Sequence, residues 1–137
     1  MAGMETTRAQ RSYATALNRN ELFSSPGLRR DIPALLDPEE EVMLALPGVA
    51  GDFPDVLIVT VRRTLLAAVA GPLRRARIKK ESPAGEVTGV SYSPGLLSRV
   101  AVTTTRGTWR MLPHRRADAE RFTAEFDHLL RTGTLPS

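Results

Sequence analysis

The chain has 137 residues, 42% hydrophobic and 25% charged, which fits one globular core rather than a disordered or fibrous chain. Cysteine is absent, excluding disulfides, Cys-ligated zinc, iron–sulfur clusters and thiol nucleophiles, and fitting a reducing compartment. The net charge is +4, with 17 arginines against 2 lysines, but its distribution is more informative: residues 31–55 carry seven acids and no base, residues 62–80 seven bases and no acid.

In chain order, residues 6–22 lack Gly and Pro and place Ala9, Tyr13 and Leu17 at i, i+4 and i+8, the stripe of an amphipathic helix. Leu28, Ile32, Leu35 and Leu36 suggest a second short helical piece bent at Pro33 and stopped by Asp37-Pro38. From Glu41 the pattern turns strand-like. Val42 to Leu46 ends at Pro47-Gly48, Val56 to Val61 is the richest β segment, and Leu65 to Val69 follows after so short a gap that a hairpin is expected. Ala76 and Ile78 alternate with basic residues in a fourth strand, Val87 to Tyr92 makes a fifth, Val100 to Thr105 a sixth, and Trp109 and Met111 mark one face of a seventh. After Pro113 the period returns to 3.6, with Ala119, Phe122, Phe126, Leu129 and Leu130 on one stripe and Gly133 as the stop. The expected organisation is an N-terminal helical extension (1–36), a β-rich domain (37–133) and a short tail (134–137). No apolar run has signal-peptide length or approaches the ~20 residues of a membrane span, so the expected location is the cytoplasm, with peripheral membrane association as the alternative.

Seven strands and a closing helix are the order of the pleckstrin-homology-like (PH-like) fold. Residues 37–131 resemble the bacterial PH-like domains of the YokE type. The matching pieces are Leu36-Asp37-Pro38-Glu39-Glu40-Glu41-Val42, Ile58-Val59-Thr60-Val61-Arg62-Arg63-Thr64-Leu65, Val87-Thr88-Gly89-Val90-Ser91-Tyr92-Ser93-Pro94-Gly95-Leu96-Leu97 and Ala117-Asp118-Ala119-Glu120-Arg121-Phe122. The resemblance implies a mainly β fold, a seven-stranded antiparallel barrel or sandwich capped by a C-terminal amphipathic helix. It also implies a non-enzymatic binding or scaffolding module with no catalytic residues and no cofactor. PH domains that bind phosphoinositides use a basic first loop, whereas residues 47–55 hold two acids and no base, which argues against inositol-lipid recognition.

Three kinds of site follow. A PH-like fold would bring the turns after the third and sixth strands together, so that Arg74, Arg75 and Arg106, with Arg77 adjoining, form a rim for a phosphate or an anionic membrane. Phe53 on the first loop, Leu96 and Leu97 on a turn, and Tyr13 and Leu17 on an N-terminal arm that orders on binding are the candidate contacts for a protein partner or a second copy. Arg62 and Arg63 read as structural, pairing with the cluster Glu39, Glu40 and Glu41. Opposite charged blocks make homo-oligomerisation plausible, while nucleic acid is the weaker alternative because no aromatic interleaves with the basic stretch. His114 and His128 have no metal-ligand spacing, and no nucleophile or nucleotide-binding motif occurs.

Overall fold

The computed structural model describes residues 6–20, 26–50, 53–69, 76–96 and 98–136. Helix α1 (Arg8–Asn18) starts at a capping box: Thr7 Oγ1 accepts from the Gln10 N–H at 3.0 Å while Gln10 Oε1 accepts from the Thr7 N–H at 2.9 Å. A short helix α2 (Pro26–Arg30) and a 3-10 turn at Ile32–Leu35 follow. The strands are β1 (Val42–Ala50), β2 (Phe53–Thr60), β3 (Arg63–Val69), β4 (Ala76–Pro83), β5 (Val87–Ser93), β6 (Arg99–Thr104) and β7 (Gly107–Pro113). A 3-10 turn, Ala84–Glu86, joins β4 to β5, and helix α3 (Arg116–Thr132) is the last element. Its stop is the expected one: Gly133 takes φ 85° and donates its N–H to Leu129 O at 2.8 Å.

The strands form one antiparallel sheet in the order β4-β3-β2-β1-β7-β6-β5. This is the mainly β, PH-like architecture expected, with a helix before and a helix after the sheet. Strands β1 and β7 meet at two register pairs, Gly48↔Pro113 and Val49↔Leu112. The sheet turns at that seam, and its two halves face one another across a shared core. Leu44, Leu46, Leu57, Val59 and Leu66 come from one half, Val87, Val100, Val102 and Met111 from the other, and Ala119, Phe122 and Phe126 of α3 fill the space between. The two phenylalanine rings meet edge to face, with centroids 5.7 Å apart.

Two expectations need correction. The first strand does not end at Pro47-Gly48 but runs through both to Ala50. Pro47 lacks an N–H, yet its carbonyl accepts from the His114 N–H at 3.1 Å. Gly48 is where β7 comes closest: a Cβ there would lie 2.5 Å from Leu112 O and 2.6 Å from Asp55 Oδ1, so the approach requires glycine.

The second correction concerns the N-terminal arm. Ala9, Tyr13 and Ala16 of α1, with Leu28, Ile32 and Leu36, cover the outer face of the first half-sheet, where Val42, Ala45, Val56, Ile58, Leu65 and Ala67 point. Tyr13 is 1% exposed and donates its hydroxyl to Leu28 O at 2.7 Å, so it is unavailable to a partner. Burial holds its phenol well above the usual value, against a smaller lowering by the Arg29 charge. Leu17 is half-buried against the same core. The described N-terminal elements therefore form a third layer. The driving force is the apolar outer face of β2 and β3, which would otherwise face water.

Candidate binding surfaces

The two charged blocks fold onto each other within one chain. Arg63, the first residue of β3, places Nε 2.9 Å from Glu40 Oε2 and Nη2 3.0 Å from Oε1, and reaches Glu81 at 2.8 Å. The Glu40 side chain is fully buried. It also accepts from Thr60 Oγ1 at 2.8 Å and from the Asp37 N–H at 3.2 Å. Burial alone would raise the Glu40 carboxyl, but the hydrogen bonds from Arg63, Thr60 and Asp37, with the Arg63 charge, outweigh it and hold it below the usual glutamate value. Arg62 pairs with Asp37 at 2.8 Å, and Lys79 lies 3.7 Å from Asp55. Arg63 pairs with the glutamate cluster as expected, through Glu40, whereas Arg62 pairs with Asp37, outside that cluster. Much of the opposite charge expected to drive self-association is thus neutralised inside the molecule.

Where β7 diverges from β1, α1 takes over the backbone of β1. Ser12 Oγ accepts from the Val42 N–H at 2.8 Å, and Asn20 Nδ2 donates to Ala45 O at 2.8 Å. Asn20 Oδ1 in turn accepts from Arg121 of α3 at 2.8 Å, and Arg19 forks onto Glu125 at 2.8 and 2.6 Å. These clasps fix α1 and α3 to the same edge of β1. Sequence reading missed them. The available signal was Ser12 and Asn20, polar residues placed so that they face inward beside an apolar stripe.

The arginine rim is not assembled by the residues described. Arg77 is exposed on β4 opposite Ala68, near that strand's start. Arg106 sits on the β6–β7 turn, 3.8 Å from Glu86, in the connector beyond the far end of β4. The six steps from Arg77 to Pro83 alone span about 20 Å. Arg77 and Arg106 are kept apart because the β6–β7 turn packs beside residues 84–86, where the Thr105 N–H donates to Glu86 O at 3.0 Å. Arg74, Arg75 and Leu97 lie outside the described residues. Leu96 is fully exposed on the β5–β6 turn and Phe53 is 43% exposed at the start of β2, in the other half of the sheet.

Two cavities lie towards opposite ends of β2. The larger, about 550 Å³, is a groove between the last turns of α3, the β2–β3 turn and residues 84–86. Its floor is Met43, Val59, Val87 and Phe126, and its walls include Leu129, Leu130 and Val61, the last 61% exposed. No stretch of sequence announces it, because its residues come from positions 43 to 133. The smaller, about 350 Å³, lies beside the β1–β7 seam and is lined by Val49, Asp55, Lys79, Arg99, Arg110, Met111 and Leu112. Asp55 is 2% exposed, and its Oδ1 is buried with no hydrogen-bond partner. Burial raises the Asp55 carboxyl above the usual aspartate value, and Lys79 offsets this only in part. The stretch 47–55, read from sequence as the first loop, is instead largely strand, and Asp55 is buried in β2 where β1 extends over it.

Among the described residues, no group of three metal-ligating side chains converges and no helix is long and apolar enough to cross a membrane. Fold and cavities together define a PH-like β-sandwich with an open apolar groove and a basic pocket. Compared with known proteins, the chain matches no family model and no curated protein.

Proposed function

We propose that this chain is a non-enzymatic PH-like interaction module, of the kind its resemblance to YokE-type domains implies, which holds a protein partner by an apolar segment seated along α3. The observation that carries this reading is the groove, where eight apolar side chains from several elements line one solvent-open cavity of about 550 Å³. A groove of that size accepts a few large side chains, and the exposed Val61 at its edge is the natural contact point.

Val61→Glu is the test, since Val61 sits on a turn and its replacement leaves the core intact. The chain and the variant are used as bait in the native host, and each captured protein is then titrated in purified form. A direct partner that binds the parent and binds Val61→Glu at least ten times more weakly supports the reading. Sedimentation of the purified chain identifies the special case in which that partner is a second copy. Partners that bind both forms equally overturn the groove as the docking site.

A further inference from the structure

We propose that the pocket beside the β1–β7 seam binds a phosphate ester through Arg99, Arg110 and Lys79. The charge pattern of the chain sets Arg99 and Arg110 apart from most of its other arginines. Arg8, Arg19, Arg30, Arg62, Arg63, Arg106, Arg116, Arg121 and Arg131 each lie within ion-pair distance of a carboxylate. Arg99 and Arg110 have no such partner among the described residues, yet both line a cavity of about 350 Å³. The register Val100↔Met111 sets Arg99 opposite Leu112, on the sheet face that Arg110 shares. Diagonal neighbours of this kind lie about 7–8 Å apart at Cα, which allows both guanidinium forks to reach one tetrahedral anion.

Lys79 supplies the third cation from the other half of the sheet. Its Nζ is 3.7 Å from Asp55 Oδ2, and Asp55 is held in place by its burial under Gly48. Asp55 is therefore a positioning residue, aiming the ammonium group of a side chain that is 31% exposed. With Asp55 ionised the lining carries a net charge of +2. A phosphate monoester, at about −1.5 to −2 near neutral pH, matches that charge, whereas a single carboxylate leaves one guanidinium unpaired. Val49 and Leu112, paired across the seam and 43% and 37% exposed, give the organic part of an ester an apolar surface. The site is built from none of the residues expected for the rim, Arg74, Arg75, Arg77 and Arg106. It is measured on the chain alone, so it stands or falls separately from the groove along α3.

The test titrates the full chain with phenyl phosphate and with inorganic phosphate, and floats it with phosphatidylcholine vesicles with and without phosphatidic acid. The expected result is binding of a phosphate ester tighter than that of inorganic phosphate. Arg99→Ala and Arg110→Ala should each weaken binding roughly ten- to a hundredfold, and Arg131→Ala should leave it unchanged. Binding of phenyl phosphate identifies a soluble ester as sufficient. Flotation dependent on phosphatidic acid, without phenyl phosphate binding, identifies a lipid headgroup as the source. The proposal is overturned if none of these probes binds. It is also overturned if the Arg99→Ala/Arg110→Ala double variant, with the circular dichroism of the parent, binds as the parent does.

Discussion

Replacing Glu40 by alanine removes a fully buried carboxylate that accepts four hydrogen bonds, two of them from Arg63 at 2.9 and 3.0 Å. Arg63 then keeps its ion pair to Glu81 at 2.8 Å on the exposed side, while its inner side faces a site with no counter-charge. Breaking a buried pair from one side costs about 3–5 kcal/mol, a large part of the about 5–15 kcal/mol that holds a domain of this kind together. At roughly 3 °C per kcal/mol, the thermal midpoint should fall by about 10–15 °C. Replacing both partners by apolar residues, as in Glu40→Met/Arg63→Leu, should cost less than Glu40→Ala alone, because no charge is then left stranded. The pH dependence has a definite sign. A carboxyl whose folded value is lowered contributes stability that is complete above the ordinary glutamate pKa of about 4.3 and is lost as pH falls through the lowered value. The gap between parent and variant should therefore be constant from neutrality to about pH 5 and shrink in stronger acid. Urea unfolding followed by circular dichroism at several pH values measures this. A Glu40→Ala variant within about 1 kcal/mol of the parent at pH 7, against the expected range, would refute the reasoning.

Asp55→Asn tests the opposite case. An acid whose folded pKa is raised loses stability for the fold as pH climbs from the ordinary aspartate value, about 3.9, through the raised one. The amide variant should be at least as stable as the parent at pH 7, with the advantage disappearing in acid, where both side chains are neutral; a clear loss at pH 7 would show that the ionised carboxylate is needed. Tyr13→Ala opens a cavity in the outer layer and should cost about 3–5 kcal/mol in the same unfolding assay. An arm that orders only on binding would leave stability unchanged. Tyr13→Phe, which removes the hydroxyl's hydrogen bond to Leu28 O, should cost about 1 kcal/mol.

The strand order and the closing helix were legible because each element carries its own local signature. The stripe through Ala119, Phe122 and Phe126 and the stop at Gly133 require no tertiary information. The third layer was encoded too, but in a feature read too simply. Val56-Leu57-Ile58-Val59 and Leu65-Leu66-Ala67-Ala68 do not alternate with polar residues, so both faces of β2 and β3 need cover, and the segment before β1 is what remains to supply it. The β1 boundary was misread because Pro47-Gly48 is usually a turn, whereas here an unpaired N–H position and a close approach of β7 suit the two residues to the strand. The basic pocket was hidden for a different reason. Lys79, Arg99 and Arg110 become neighbours only after the sheet turns at its seam, and two register pairs decide where that happens.

Asn20 touches three layers with one amide, donating to Leu17 O and Ala45 O while accepting from Arg121. Helices that lie on different faces of a sheet usually open to solvent independently, each with its own protection against amide hydrogen exchange. Here neither can lift away without stranding a buried donor or acceptor on the other side of β1, so local opening of α1 and of α3 is one event. A partner bound along α3 would consequently slow exchange in α1, although nothing bound in the groove comes near that helix's buried stripe.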